Sequence, residues 1–430
     1  MSHADCSVSH ADCLTEATLH TLYSSDTHTN LRAITLDCQG NQLPNAFFKI
    51  LTRNASSLQS IVLNNLPEDC RICIYDLFRK IEFQKLSALE EIIAARAYKD
   101  ECYIRLEETT YFPPTLHKLT LYGLGIVAVP ESFAKLSRLT TLHLMNNIIT
   151  SLTVLTNSNK LNCLQELDVS ENSLVSIPEN IDRIPSLQVL NISHNCLKKY
   201  LPPTIANLKQ LTKLSLQWNR LEELSAKTVE SLTNLKYLNI SHNKIKSLSS
   251  AICFHPTLQC LDLSGNEGLV FFREEEHLAQ NNPAAAAAAL LELDISSTGL
   301  HTLPLWLHQL KSLHILKADY NHLVDINNLI DITSLQVASF SHNQISDCDM
   351  LFDSLSAMTM LNMLDLSYNR LYHIGDAADT VYIGEVTVHL QGNRLSAIQD
   401  SSHDDYSSSV TTSQLYKLSS ICCCCCRRLC

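Results

Sequence analysis

The stretch Leu164-Gln-Glu-Leu167-Asp-Val169-Ser-Glu-Asn172-Ser-Leu174 decides how the chain is read. Its apolar residues and its asparagine recur in step at Leu187, Leu190, Ile192, Asn195 and Leu197, at Leu211, Leu214, Leu216, Asn219 and Leu221, and at Leu235, Leu238, Ile240, Asn243 and Ile245. Weaker copies extend both ways, with units starting at 31, 58, 89, 116, 139, 164, 187, 211, 235, 258, 290, 313, 335, 361 and 385. Most spacings fall between 22 and 27 residues, and the longer ones, 31 and 32, mark insertions. Self-similarity at such a period is the signature of a solenoid. The 430 residues therefore read as one array of about fifteen units with short flanking segments, rather than as two or three globular domains.

The spacing has a physical cause. Residues four and six of the template lie two apart, so on an extended strand they point to one side, while residues three, five and seven face the other. A strand this short cannot bury its leucines alone, so successive units must stack into a parallel sheet with the leucines inside. The asparagine at position nine follows the strand, where the backbone turns and loses its ladder partners, and its amide both donates and accepts there. Ten units keep it: Asn147, Asn172, Asn195, Asn219, Asn243, Asn266, Asn321, Asn343, Asn369 and Asn393. Leu124 and Thr298 stand in its place in two others, whose turns are expected to be less well tied.

This pattern resembles the leucine-rich-repeat family over roughly residues 31–398. The resemblance implies an α/β solenoid: a horseshoe with a concave parallel sheet and a mixed helical and irregular convex side. The second halves Val129-Pro130-Glu131-Ser132-Phe133, Ile177-Pro178-Glu179-Asn180-Ile181 and Leu303-Pro304-Leu305-Trp306-Leu307 resemble those of the intracellular Ras-group repeat proteins, which are cytosolic signalling scaffolds. Leu323 to Ile332 lacks that proline and is closer to the repeats of phosphatase-regulatory members.

Four segments break the pattern. Residues 1–30 repeat SHADC at 2–6 and 9–13, are small and polar, and read as a mobile head. His3, Cys6, His10 and Cys13 have zinc-ligand chemistry, but a slipped copy of a short segment is the simpler reading. Cys70 and Cys73 form a lone pair with no second pair at matching distance and read as buried thiols. Between the units at 258 and 290, Asn282-Pro283 followed by six alanines predicts a short extra convex helix. True convex helices are also expected between 58 and 115, in amphipathic pieces such as Leu77 to Ile93.

Residues 399–421 are serine-rich and polar and read as a linker, spanning roughly 25 to 30 Å as a coil. It leads to the tail at 422–430, where Cys422, Cys423, Cys424, Cys425 and Cys426 precede Arg427, Arg428, Leu429 and Cys430. Five adjacent thiols cannot all face one tetrahedral metal. Beside arginines at a chain end they suit S-palmitoylation, where two or more chains are needed for stable anchoring. Prenylation fails on Arg427 and myristoylation on Ser2, so acylation would need another recruiting contact.

A net charge of −12 argues against a nucleic-acid partner, whose binding rests on a basic surface. The first residues show no basic cluster followed by an apolar run, and no stretch reaches the length of a spanning helix, so the chain is expected at the cytosolic face of a membrane with free thiols. No phosphate loop, HExxH or GxSxG motif is present, and the Ser-His-Asn triplets at 193–195, 241–243 and 341–343 recur in register, so they read as part of the repeat. Asp168, Asp262, Asp294 and Asp365, each followed two residues on by serine, are expected to solvate the strands. No enzyme activity, cofactor or metal is expected.

Binding is expected on the presented strand positions: His143, Met145, Lys213, Gln217, Trp218, Lys236, Tyr237, Lys317, Asp319 and Tyr320, with Trp218 beside Tyr237 as the anchor pair. The resemblance implies a protein partner such as a small GTPase, a kinase or a phosphatase. The runner-up is a soluble regulatory subunit of such an enzyme. An extracellular receptor would instead carry a glycan at Asn54.

Overall fold

The computed structural model describes residues 31–38, 45–66, 81, 83–96, 106, 111–272, 288–346, 358–372 and 386–395. Fifteen strands form one sheet in strict chain order: β1 Ala33–Asp37, β2 Ser60–Asn64, β3 Glu91–Ala95, β4 Lys118–Tyr122, β5 Thr141–His143, β6 Glu166–Asp168, β7 Val189–Asn191, β8 Lys213–Ser215, β9 Tyr237–Asn239, β10 Cys260–Asp262, β11 Glu292–Asp294, β12 Ile315–Lys317, β13 Val337–Ser339, β14 Met363–Asp365 and β15 Thr387–His389. Every neighbouring pair is parallel and aligns the same template position, as in Leu190↔Leu214 and Leu238↔Leu261. This is the leucine-rich-repeat solenoid, with the sheet as its concave layer.

The core is a column. Leu187, Leu190, Ile192 and Leu197 are buried, as are their equivalents in the neighbouring units, and each side chain so buried contributes roughly 1.5 to 3 kcal/mol. The opposite side is built mostly of short 3-10 turns, such as Ile181–Arg183 and Leu305–Gln309, with α-helices at Asn45–Arg53, Thr153–Thr156 and Ala226–Glu230. Phe112 stacks on Phe83 and meets Phe133 edge-on, and Trp306 meets Phe254 and Phe271 edge-on, so large rings fill this side where units differ in length.

The asparagine column supplies what the turns lack. Asn195 Nδ2 donates to Ile192 O at 3.2 Å and Ser193 O at 3.0 Å in its own unit, and to Val169 O at 3.0 Å in the preceding one. Its Oδ1 accepts from Leu174 N at 2.9 Å. Each asparagine thus joins two units, and nine of the ten are buried.

Three expectations are corrected. The Thr298 turn is tied: its hydroxyl donates to Ile295 O at 2.7 Å and to Asn321 Oδ1 at 3.1 Å. At Leu124, Asn147 from the next unit accepts from both Leu124 N and Ile126 N at 3.0 Å and donates to Leu121 O. Because every asparagine serves the unit before it, a missing one is partly covered by its neighbour. The Leu77 to Ile93 piece is not a helix where described; a 3-10 turn at Phe83–Lys85 gives way to β3, whose pairing with β2 and β4 outweighs the local periodicity. The SHADC head, Cys70 and Cys73, the linker and the cysteine tail lie outside the described residues, as does the alanine run apart from Ala288 and Ala289.

Candidate protein-binding face

The outward positions of the strands form a continuous face whose polar side chains are ordered by one another. Asp168 Oδ1 accepts from Ser170 N and Oγ, Asp262 and Asp294 do the same for Ser264 N and Ser296 N, and Asp365 for Ser367 N. Asn191 and Asn239 occupy the same position and donate across to Asp168 and Asp262 at 2.8 and 2.9 Å. These aspartates are therefore half-buried ties at the strand ends, a correction to the expectation that they simply solvate the strands. Burial raises the Asp294 carboxyl above its ordinary value, opposed by the hydrogen bonds from Ser296, with the charge of Asp262 raising it further.

Eight of the ten expected site residues separate into three places, and the other two, Trp218 and Tyr320, lie on the turns. His143 on β5 sits 3.1 Å from Glu166 Oε1, with half-buried Met145 following. On β8 and β9, Lys213 Nζ lies 4.9 Å from the centre of the Tyr237 ring, a cation–π arrangement; exposed Lys236 immediately precedes β9, and beyond β8 the Gln217 side-chain oxygen is buried without a hydrogen-bond partner among the described residues. Further along, Lys317 pairs with Glu292 at 2.7 Å, while Asp319 Oδ1 accepts from Ser339 Oγ, Ser341 N and Ser341 Oγ.

Trp218 and Tyr237 do not form the expected pair. Trp218 is not on a strand: it is the eighth residue of its unit, on the turn, and stacks between His194 and His242 at centroid distances of 5.6 and 3.9 Å. Tyr320 has the same place and begins a second column, with His342 at 4.3 Å and Tyr368 a further 4.4 Å on. In every unit from β4 onward this eighth residue has a positive φ, from Glu171 and Trp218 to Gly265 and Gly392. The sheet twist and the turn put those residues in one line along the edge of the face, which strand alternation alone does not show. The signal in the sequence was that each of these rings immediately precedes the template asparagine or, in Gly265 and Gly392, is replaced by glycine.

Among the described residues, Cys38, Cys163, Cys196, Cys253 and Cys260 form no disulfide, and Cys260 Sγ donates to Glu292 Oε2 at 3.9 Å. Burial, with Asp37 adding to it, pushes the Cys38 thiol up to about 12, and burial raises Cys253 as well, so both are inert packing groups. Asn54 is buried, its amide donating to Ile50 O and accepting from Leu31 N, which leaves no room for a glycan without losing those bonds. Among the described residues no group of three His, Cys, Asp or Glu side chains is placed to hold a metal ion, and no helix is long and apolar enough to cross a membrane.

Comparison with known proteins agrees with this geometry. A family model described as leucine rich repeat matches residues 137–197, 162–221 and 209–267. No curated protein matches the sequence. Among solved structures, a leucine-rich-repeat protein of Leptospira interrogans is similar with a TM-score of 0.65 and 22% identity, covering 88% of this chain and 94% of that one. Drosophila Toll, in its complex with Spatzle, aligns with a TM-score of 0.59 and 20% identity over 85% of this chain and 48% of its own. The ectodomain of the plant receptor kinase GASSHO1/SCHENGEN3 from Arabidopsis thaliana aligns with a TM-score of 0.54 and 20% identity over 86% of this chain and 51% of its own. At these identities the likeness concerns the fold. With the family model matching the middle of the array and the same register running through all fifteen strands, the chain folds as a leucine-rich-repeat solenoid.

Proposed function

We propose that the protein is a binding scaffold that docks a protein partner on the outward face of its sheet, and that S-acylation of Cys422 to Cys426 holds it at the cytosolic side of a membrane. The observation that supports docking is the patch on β8 and β9, where Lys213 and Tyr237 stand opposite each other on adjacent strands and exposed Lys236 immediately precedes β9. Aromatic and long cationic side chains are what interfaces use as anchors. Five adjacent cysteines beside Arg427 and Arg428 support the tether: each buried methylene adds about 0.8 kcal/mol, and the arginines add attraction to an anionic leaflet. The proline-bearing second halves at 130, 178 and 304 favour a Ras-group scaffold, and with it a small GTPase or its associated kinase or phosphatase as partner.

Two experiments test this. Affinity purification from cells should lose the principal partner when Tyr237→Ala and Lys213→Ala are combined; unchanged recovery of every partner moves the site elsewhere. Fractionation should shift the protein from membranes to the soluble pool when the five cysteines become serine, with loss of a hydroxylamine-sensitive acyl label. Equal solubility without any acyl label rules out the tether.

A further inference from the structure

The ring columns on the edge of the sheet have a break. Each ring leans on the eighth residue of the following unit: a Cβ added to Gly265 would fall 2.5 Å from the His242 ring, and one added to Gly392 would fall 2.5 Å from the Tyr368 ring. The first column therefore runs His194, Trp218, His242 and ends on Gly265, and the second runs Tyr320, His342, Tyr368 and ends on Gly392. Between them stands Ser297, which carries no ring. Tyr320 thus has one face covered by His342 at 4.3 Å and the other turned toward a small side chain, and it is 60% exposed.

The charge beside that open face has one sign. Asp262, Asp294 and Asp365 stand on β10, β11 and β14, and Asp319 immediately precedes Tyr320. Lys317 is the one lysine or arginine on the strands from β10 to β14, and its ammonium is held by Glu292 at 2.7 Å. Asp319 uses Oδ1 for three hydrogen bonds from Ser339 and Ser341, which fix the carboxylate and leave Oδ2 without a partner among the described residues. The preceding strands β8 and β9 carry Lys213 and no carboxylate.

We infer that the open face of Tyr320, flanked by Asp319 and the carboxylates of β10 to β14, docks an arginine-bearing basic segment of a protein partner. A guanidinium is planar and weakly hydrated, so it lies flat on an aromatic ring while its edge donates to a carboxylate; an ammonium does only part of this. Adjacent strands are about 4.8 Å apart, so β10 to β14 span about 20 Å, which six or so extended residues cover. The partner segment is therefore short, extended and positively charged at alternate residues. This rests on the reading of the sheet face as a docking surface and names the chemistry of what docks at its C-terminal half.

The test uses the full chain and a fluorescent eight-residue peptide alternating arginine and serine, with matched peptides carrying lysine or glutamate instead of arginine. The arginine peptide should bind, weaken about five-fold with Tyr320→Asn and again with Asp319→Asn, and weaken as salt rises, while the lysine peptide binds about three-fold less well. Asparagine keeps the turn, since Asn65 and Asn146 hold the same backbone position. Leu305→Gln, at an exposed residue on the opposite side of the sheet, should leave the affinity unchanged. Equal affinity of wild type and the Tyr320→Asn, Asp319→Asn double variant overturns the site, as does equal binding of the glutamate peptide. Salt-sensitive self-association abolished by Tyr320→Asn makes the occupant a second copy and overturns it too. A partner lost with Tyr237→Ala yet retained by the Tyr320→Asn, Asp319→Asn variant leaves the docking face standing and removes only this site.

Discussion

In each unit from β4 onward the eighth and ninth residues sit side by side on one turn, yet the ninth is asparagine in ten units while the eighth ranges over glycine, asparagine, glutamate, serine, histidine, tyrosine and tryptophan. The ninth side chain is a structural part: its amide closes bonds in two units, so its chemistry is fixed. The eighth contributes only a left-handed backbone. That conformation costs a bulky residue of the order of 1 kcal/mol, and any side chain that accepts the cost is free to point outward. The comparison teaches where this fold leaves room for function, in the position whose identity the turn does not specify.

The strongest way to break that contrast is Asn219→Ala. Asn219 Nδ2 donates to Ile192 O, Leu216 O and Gln217 O, and Oδ1 accepts from Leu197 N, all near or in the core. Removing the amide leaves several buried groups unsatisfied at roughly 1 to 3 kcal/mol each, only partly relieved by relaxation, so a loss of about 3 kcal/mol is expected in urea unfolding. A loss under about 1 kcal/mol would show that water replaces the amide and that the ninth position is no more constrained than the eighth.

Gly265→Ala comes next. At φ +68 an alanine is strained, and its Cβ meets the His242 ring. We expect about 1 to 2 kcal/mol of destabilisation, and because the displaced His242 lies 3.9 Å from Trp218, a change in tryptophan fluorescence. Unchanged emission would mean that the column does not depend on its terminal glycine.

These two positions also divide what sequence reading reaches from what it does not. Leu187, Leu190, Ile192 and Asn195 announce the sheet because each has one packing reason that repeats at every unit, and all fifteen strands lie where that spacing puts them. Trp218 was misplaced because alternation along a strand says nothing about the turn after it, and its stacking partners are 24 residues away in either direction. The Ser-His-Asn triplets read as part of the repeat, and recurrence in register is also what lines their imidazoles up with Trp218 and Tyr320. Thr298 escaped because a hydroxyl can borrow the Oδ1 of Asn321, a cooperation between units that no single unit displays.

His255 sharpens the contrast from the other side of the molecule, since it is a buried polar ring that belongs to no column. Burial lowers its pKa, partly offset by the Val229 backbone. An unfolded histidine takes up a proton near pH 6.5 while the folded one resists it, so the unfolded state binds more protons as pH falls and stability declines below about pH 6.5. Urea unfolding between pH 7.5 and 5 should show a steeper decline in wild type than in His255→Gln. Identical slopes would mean that the ring is solvated when charged.

The smallest expected effect on stability is the most informative about function. Trp218→Asn removes two ring stacks, worth about 0.5 to 1.5 kcal/mol each at most for an exposed edge, but replaces a bulky residue at φ +57 with one that tolerates that backbone. The two changes oppose each other, so unfolding should shift by less than about 1 kcal/mol. If the eighth position is reserved for recognition, partner capture should fall several-fold in the same variant while Asn219→Ala, measured where it is still folded, lowers capture only in proportion to its folded fraction. A Trp218→Asn protein that is clearly destabilised and binds normally would reverse the assignment, making the ring column a brace for the turns and leaving recognition to Lys213 and Tyr237 on the strands.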